Sequence, residues 1–159
     1  MAKVSIKTLK QTEKNGLFSL VFENEAYSEF EKFIEKFKNE ADVSRDLNVI
    51  LSYIERMING AGFIERYFRP EGKMKDNVCA LPVVSGKLRL YCLRLSDSIL
   101  IAGGGGRKNT RTYDEDSNLS GYVISLQKLD ELIKVEVKKG NIVIESGVIN
   151  GSENKTFEL

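Results

Sequence analysis

The sequence predicts an α+β fold in which an antiparallel sheet packs against two N-terminal helices. Two stretches between residues 24 and 59 place apolar side chains three and four positions apart, which is the helical period. After residue 72 the pattern changes to the alternation typical of strands, in three segments separated by short turns. The chain has 159 residues, a length that predicts a single domain spanning 1–159 with room for a substantial core.

The first predicted element is a β-hairpin within residues 1–22. Residues 3–9 alternate polar and apolar side chains, as expected of a half-buried strand. Asn15-Gly16 is a strong turn signal, and residues 17–22 form the returning strand.

Two helices are expected next, joined by a short acidic turn in an antiparallel arrangement. Asn24 is expected to cap the first, which runs to about residue 40. Ser44 is expected to cap the second, which runs to Asn59 and ends at Gly60. The apolar stripe predicted for the first helix comprises Tyr27, Phe30, Phe33, Ile34 and Phe37.

Residues 78–84, 88–95 and 98–102 are predicted to form an antiparallel meander. Pro82 indicates that the first of these strands lies at an edge or contains a bulge. Gly103–Gly106 are expected to end the third strand.

The C-terminal part of the chain shows weaker signals. We expect a short helix capped by Ser125, a last strand over residues 141–145 and a frayed tail over 151–159. The apolar positions of this short helix are Leu126, Leu129, Leu132 and Ile133.

The composition excludes several classes of chemistry. The chain contains no histidine, which rules out a Ser-His-Asp triad, a Cys-His dyad and a His-ligated zinc site within it. Two cysteines predict buried thiols in a reduced, cytoplasmic protein, and no apolar run is long enough to cross a membrane. We see no pattern of metal ligands and expect no cofactor.

The charges are segregated along the chain, although 24 Lys and Arg nearly balance 23 Asp and Glu. Residues 61–113 contain ten basic residues and four acidic ones, between two segments with an acidic excess. Such a distribution favours a face that binds an anion over a uniformly cationic surface.

The predicted strand at residues 87–95 carries the most informative pattern. Leu88, Leu90 and Cys92 fall on the face expected to pack under the helices. Arg89 and Tyr91 fall on the opposite face, where they are either part of a site or ordinary polar residues of a solvated sheet.

The second candidate feature is the glycine run, with the basic residues that follow it. Gly103–Gly106 followed by Arg107, Lys108 and Arg111 would let a phosphate backbone lie against exposed amides and guanidinium groups. A flexible strand end with a solvated basic loop is the alternative interpretation of the same residues. Tyr113 is the last residue of the basic stretch over residues 107–113, and its ring is suited to stack on a base or to lie near a reacting hydroxyl.

The order of two helices, meander and C-terminal helix, with SGKLRLY at residues 85–91 and the stretch 99–113, resembles the RelE/ParE toxin superfamily. The resemblance covers roughly residues 43–135, and the hairpin over 1–22 is extra. It implies a toxin of a type II toxin–antitoxin pair, with a cognate antitoxin as partner. Members of that superfamily either cleave mRNA on the ribosome or poison DNA gyrase.

The resemblance implies catalytic roles for Arg89, Arg111 and Tyr113, with Arg107 as the alternative to Arg111 for stabilising charge. Where the cleaving members carry paired lysines, this chain has VCAL at residues 78–81. The remaining residues that it implies for RNA and phosphate binding are Arg69, Lys73, Lys75, Arg107 and Lys108. An mRNA endoribonuclease is therefore the first expectation. A non-catalytic binder, such as a gyrase poison or a degenerate toxin-like interaction domain, is the alternative that the absent lysine pair favours.

Overall fold

A computed structural model describes residues 2–70, 76–82, 86–108 and 117–159 of the chain. It is an α+β structure with one large sheet. The strands are β1 (Lys3–Gln11), β2 (Gly16–Phe22), β3 (Arg69–Pro70), β4 (Val78–Pro82), β5 (Leu88–Ser96), β6 (Ile99–Arg107), β7 (Val143–Glu145), β8 (Val148–Asn150) and β9 (Thr156–Glu158). The helices are α1 (Glu29–Phe37), α2 (Ser44–Asn59) and α3 (Ser117–Lys138).

Within the described residues, seven strands form the large sheet in the order β3-β4-β5-β6-β2-β1-β9, while β7 and β8 pair separately. The meander β4-β5-β6 is antiparallel, as predicted. Strand β2, however, runs parallel to β6, because α1 and α2 carry the chain across one face between them. The sheet is therefore mixed, and the N-terminal hairpin is an internal part of it, not an extra element beside it.

Helix α1 begins four residues later than the sequence predicts. Ser28 is its N-cap and forms a capping box with Glu31, because each side chain accepts a hydrogen bond from the other residue's backbone N–H. Asn24 has a φ of 69° and lies in the preceding turn, a conformation that Asn tolerates well. Tyr27 consequently lies outside the helix and is 56% exposed.

Helix α2 spans Ser44–Asn59 with Gly60 at its C-cap, as predicted. Val43 occupies the N-cap position and makes no side-chain cap hydrogen bond, so the predicted capping role of Ser44 is wrong. Asn15, in the turn between β1 and β2, is buried and donates from Nδ2 to the carbonyl of Ile58 at 2.9 Å. The hairpin turn thus satisfies a carbonyl at the end of α2.

The two faces of the sheet bury separate cores. Helices α1 and α2 pack on the face that carries Leu88, Leu90 and Cys92, as the alternation in β5 predicts. Helix α3 packs on the other face, which carries Tyr91 and Leu93. The sheet is therefore covered on both sides, and α3 is far longer than the short helix expected from Ser125.

The C-terminal residues are ordered parts of the structure. The strand predicted at 141–145 is β7, which forms a hairpin with β8. Residues 151–159, expected to fray, contain β9, which pairs with β1 and buries Phe157. With a single apolar residue in three, this strand is too short to show a recognisable alternation in the sequence.

Candidate functional site

Arg89 lies on the α3 face of strand β5, opposite the core of α1 and α2. Its Nη1 donates a hydrogen bond to the Tyr91 hydroxyl at 3.3 Å. This hydrogen bond shows that the two side chains share a face, as the alternation predicts, and Tyr91 packs there with α3. That face is not solvated, however, because Arg89 is only 3% exposed and Tyr91 is fully buried.

Arg69 and Lys108 bring two further positive charges to this end of the sheet. Arg69 pairs with Ala80, which in turn pairs with Tyr91, so the three residues form one row across strands β3, β4 and β5. Burial lowers the pKa of Lys108, and the charges of Arg89 and Arg69 lower it further, against the opposing effect of Asp46. We refer to Arg69, Arg89 and Lys108 as the basic cluster.

The basic cluster is suited to bind an anion. A desolvated guanidinium costs free energy, and neighbouring like charges add to that cost. A phosphate group at this position would be attracted by all three side chains, of which Arg69 is exposed and Lys108 is partly buried. Such a contact would be stronger than on a fully solvated surface, because the local dielectric is lower.

Arg107 does not belong to this cluster, although it was predicted to bind phosphate with the others. It pairs with Leu88, on the face of α1 and α2, whereas Arg89 points to the opposite face. Its guanidinium forms ion pairs with Glu40 and with Asp42, the latter at 2.9 Å, and lies 5.4 Å from the ring centre of Phe37. It therefore ties the end of β6 to the turn between α1 and α2.

The glycine run is not a phosphate-binding loop, which corrects the sequence-based expectation. Gly103–Gly106 are buried residues within β6, which continues to Arg107. A Cβ at Gly104 would lie 2.7 Å from the Tyr122 ring, and one at Gly105 would lie 2.1 Å from the Arg89 carbonyl oxygen. The glycines therefore serve the close packing of β6 against β5 and α3.

A bulge lies within this glycine run. Leu90 pairs with Gly105 and Cys92 pairs with Ala102, so that two residues of β6 lie opposite Tyr91 alone. The extra residue changes the alternation of β6 beneath α3. No local sequence signal beyond the glycines themselves indicates this register shift.

Four predicted site residues lie outside the described residues, namely Lys73, Lys75, Arg111 and Tyr113. Sequence reasoning named every member of the basic cluster but did not predict that Arg69 would lie in register with Tyr91. That proximity comes from the pairing of β3 with β4, which no spacing in the sequence reveals.

In the described part of the chain, no group of three Cys, Asp or Glu side chains is arranged to hold a metal ion. Within the same residues, no helix combines the length and the apolar character needed to span a membrane. Comparison with protein-family models, curated proteins and solved structures found no match.

Proposed function

We propose that the basic cluster binds the phosphate backbone of RNA and that the chain acts as a toxin of a type II toxin–antitoxin pair. The observation that carries the binding proposal is the convergence of Arg69, Arg89 and Lys108 at one end of the sheet. The succession of α1, α2, the meander β4-β5-β6 and α3 supports the resemblance to RelE/ParE toxins. The toxin proposal implies two partners in the cytoplasm, which are a cognate antitoxin and mRNA on the ribosome.

Cleavage of mRNA is the activity proposed first. The ribose 2′-hydroxyl oxygen would form a bond to the adjacent phosphorus, and the bond from phosphorus to the 5′ oxygen would break. The 2′-hydroxyl proton would pass to a base, and the leaving 5′ oxygen would receive a proton. Arg89 and Arg111 would stabilise the negative charge that develops on the phosphate oxygens.

Proton transfer in this reaction would use lysine and tyrosine, since the chain has no histidine. Lys108 is suited to it because the lowered pKa of its ammonium brings it closer to the operating pH. Tyr113 is the second candidate, on the resemblance to the cleaving toxins. Lys73 and Lys75 would add phosphate contacts.

The burial of Arg89 favours a second candidate function, which is binding without cleavage. Arg89 is 3% exposed, and its Nη1 donates a hydrogen bond to the Tyr91 hydroxyl. A guanidinium in this position raises the positive potential of the site more readily than it contacts a reacting phosphate. This arrangement fits a non-catalytic binder, such as a gyrase-poisoning relative or a degenerate toxin-like interaction domain.

Binding is tested with a fluorescein-labelled 20-nucleotide single-stranded RNA, titrated at several salt concentrations and followed by fluorescence anisotropy. The double variant Arg69→Gln/Lys108→Gln removes two positive charges from the cluster. We expect at least about a tenfold loss of affinity at low salt and a salt dependence shallower by about 1.4 in the logarithmic slope. An unchanged slope would refute the proposed phosphate contacts.

The matched control is Lys10→Gln/Lys14→Gln, which removes the same charge at the exposed hairpin end of the sheet. This pair lies towards the opposite edge of the sheet from β3, since four strands separate β1 from β3. Its affinity for the RNA should fall by less than about twofold. An equal loss in both double variants would mean that binding follows net charge and not the cluster.

Cleavage is tested by mapping mRNA breaks during translation in cells that express the wild type, Arg89→Ala or Arg107→Gln. An endoribonuclease predicts breaks with the wild type and with Arg107→Gln, and none with Arg89→Ala. Intact mRNA combined with DNA damage would instead identify a gyrase poison. The cognate antitoxin is expected to be encoded in the neighbouring reading frame. Normal growth of cells that express the wild type, with or without that reading frame, would contradict the toxin proposal.

A further inference from the structure

A groove separate from the basic cluster lies between α2 and β4, on the α1–α2 side of the molecule. It has a volume of about 480 Å³. Its apolar lining includes Met57, Ala61 and Leu81, and its sides include the aromatic rings of Tyr53 and Tyr67. Tyr53 is 36% exposed and Tyr67 is 47% exposed, so the groove presents aromatic residues to solvent.

The groove continues along the outer surface of α2. A second depression of about 520 Å³ shares Tyr53 and Arg56 with the first and extends to Ser44 and Arg45. The distance along the helix from Ser44 to Met57 is about 20 Å at 1.5 Å per residue. A segment of about 13 residues in a helix, or six in an extended conformation, would match this length.

Among the described residues, the charged residues that line the groove and its continuation are Arg45 and Arg56, and Arg66 lies beside the Tyr67 ring. The Arg56 guanidinium lies 5.8 Å from the Tyr53 ring centre, and that of Arg66 lies 5.2 Å from the Tyr67 ring centre. Arg56 also donates to the Ser52 hydroxyl at 3.4 Å. Among the described residues, neither guanidinium is within ion-pair distance of a carboxylate.

When an Arg lies beside an exposed Tyr ring, its guanidinium N–H groups can still donate to a carboxylate, and the Tyr ring can still make apolar contacts. Aromatic residues and Arg of this kind are also the residues most enriched at the centres of protein interfaces. The groove therefore fits a ligand that is apolar on one side and acidic on the other.

Addition of a strand to the sheet is a poor alternative mode of binding here. The neighbouring edge strand, β3, has two residues, and the second is Pro70, which has no N–H to donate. A partner would therefore be held by side-chain contacts along α2, as an amphipathic helix lies in a groove.

We propose that this groove binds an acidic amphipathic helix of a partner protein. Leucine or phenylalanine side chains of the partner would enter between Tyr53 and Tyr67. Its carboxylates would pair with Arg56 and Arg66, and at the other end with Arg45. The groove and the basic cluster share no residue, so this proposal does not rest on whether RNA is bound or cleaved.

The test uses the full chain labelled with ¹⁵N and a 14-residue helical peptide with Leu and Phe on one face and Glu on the other. A second peptide replaces every Glu with Lys. We expect the acidic peptide to shift amide resonances along α2 and at Ala61–Tyr67, and to bind at least about tenfold more tightly than the basic one. Equal binding of the two peptides, or shifts elsewhere on the molecule, would overturn the proposal.

The substitutions Arg56→Glu and Tyr67→Ser, both at exposed residues, should each lower the affinity for the acidic peptide at least about fivefold. The matched control is Lys128→Glu, an equal change of charge at an exposed position of α3 on the opposite face of the sheet. It should leave the affinity within about twofold of the wild type. If the control weakens binding as much as Arg56→Glu does, the attraction comes from net charge and the proposed groove is wrong.

Two other occupants are distinguished by the same samples. If a single-stranded RNA shifts the α2 resonances, the groove belongs to a nucleic-acid interface and the proposal fails. If sedimentation shows a dimer that Tyr67→Ser dissociates, the groove is a contact between two copies of this chain, which also refutes the proposal. A monomer that binds the acidic peptide supports it.

Discussion

The two faces of the large sheet are packed by different means. On the α1–α2 face, large side chains such as Phe33 and Ile50 fill the space between helices and strands, and Arg107 forms ion pairs at the rim. On the α3 face, glycines bring the backbone of β6 close to Tyr122, while Arg89 is buried next to Tyr91. Both faces contribute hydrophobic stability, but the second also holds a buried cation, and its interactions must offset the free-energy cost of desolvating it.

The largest effect is expected from Phe33→Ala on the α1–α2 face. Phe33 is 3% exposed, and its ring centre lies 5.4 Å from that of Phe37 and 6.4 Å from that of Phe30. Its removal would leave a cavity and lower the free energy of unfolding by about 3–5 kcal/mol. Urea denaturation measures the change, and Tyr27→Ala, at an exposed position, should alter it by less than about 0.5 kcal/mol.

Gly104→Ala tests the close packing of the α3 face. The new Cβ would lie 2.7 Å from the Tyr122 ring, so either the ring or β6 must move, at a cost of about 1–3 kcal/mol. Gly121→Ala is the matched control, because nothing lies within 4 Å of its Cβ in α3. That substitution should stabilise the protein by about 0.5–1 kcal/mol, and a loss of stability there would contradict the position of α3.

Ser28→Ala removes the cap of α1 and should cost about 1 kcal/mol of unfolding free energy. Its capping partner Glu31 also accepts a hydrogen bond from Lys7 Nζ at 2.8 Å, and this bond, with those from Ser28, lowers the pKa of Glu31 to about 2. Because the pKa is lowered in the folded state, the Glu31 carboxylate increases the free energy of unfolding above pH 4.5, and this contribution is lost as the pH falls towards 2.

Glu31→Gln should therefore flatten the fall in stability between pH 4.5 and pH 2, measured by denaturation at each pH. The same fall in the wild type and in Glu31→Gln would show that other carboxylates are responsible. Glu35→Gln is a suitable control, since Glu35 pairs with Lys38 on an exposed surface.

The smallest effect is expected from Arg107→Gln. Its ion pairs with Glu40 and Asp42 are partly exposed, so their loss should cost about 1 kcal/mol or less. RNA affinity should stay within about twofold of the wild type, whereas Arg69→Gln should weaken RNA binding. A loss of RNA affinity in Arg107→Gln would place this residue in the site, despite its position on the other face.

Local patterns in the sequence predicted several elements well. The bounds of α2 and its end at Gly60 were predicted correctly, because a continuous apolar stripe and a terminal glycine act within one helix. The strand β5 and its two faces were also predicted, since alternation depends only on neighbouring residues. Within the candidate site, this alternation placed Arg89 and Tyr91 on one face.

Features that depend on distant contacts were predicted poorly. Helix α3 includes residues 117–124, where serines and Gly121 weaken the helical signal, and packing of Leu119 and Tyr122 against the glycines of β6 compensates. The same contacts explain why Gly103–Gly106 continue a strand that the sequence predicts to end there. The expected hairpin, helices and meander were otherwise found in the predicted order.

The chemistry available to the protein follows from the sequence, because composition limits the groups that can act. Without histidine, proton transfer and anion binding in this chain depend largely on Arg, Lys and Tyr, and the basic residues concentrate between 61 and 113. Which of these residues meet was decided by the tertiary structure. The pairing of β3 with β4 and of β4 with β5 brought Arg69 into register with Tyr91, and the pairing of Arg107 with Leu88 placed Arg107 on the face opposite Arg89. Register and layer order depend on contacts between residues far apart in the chain, for which local sequence patterns carry no signal.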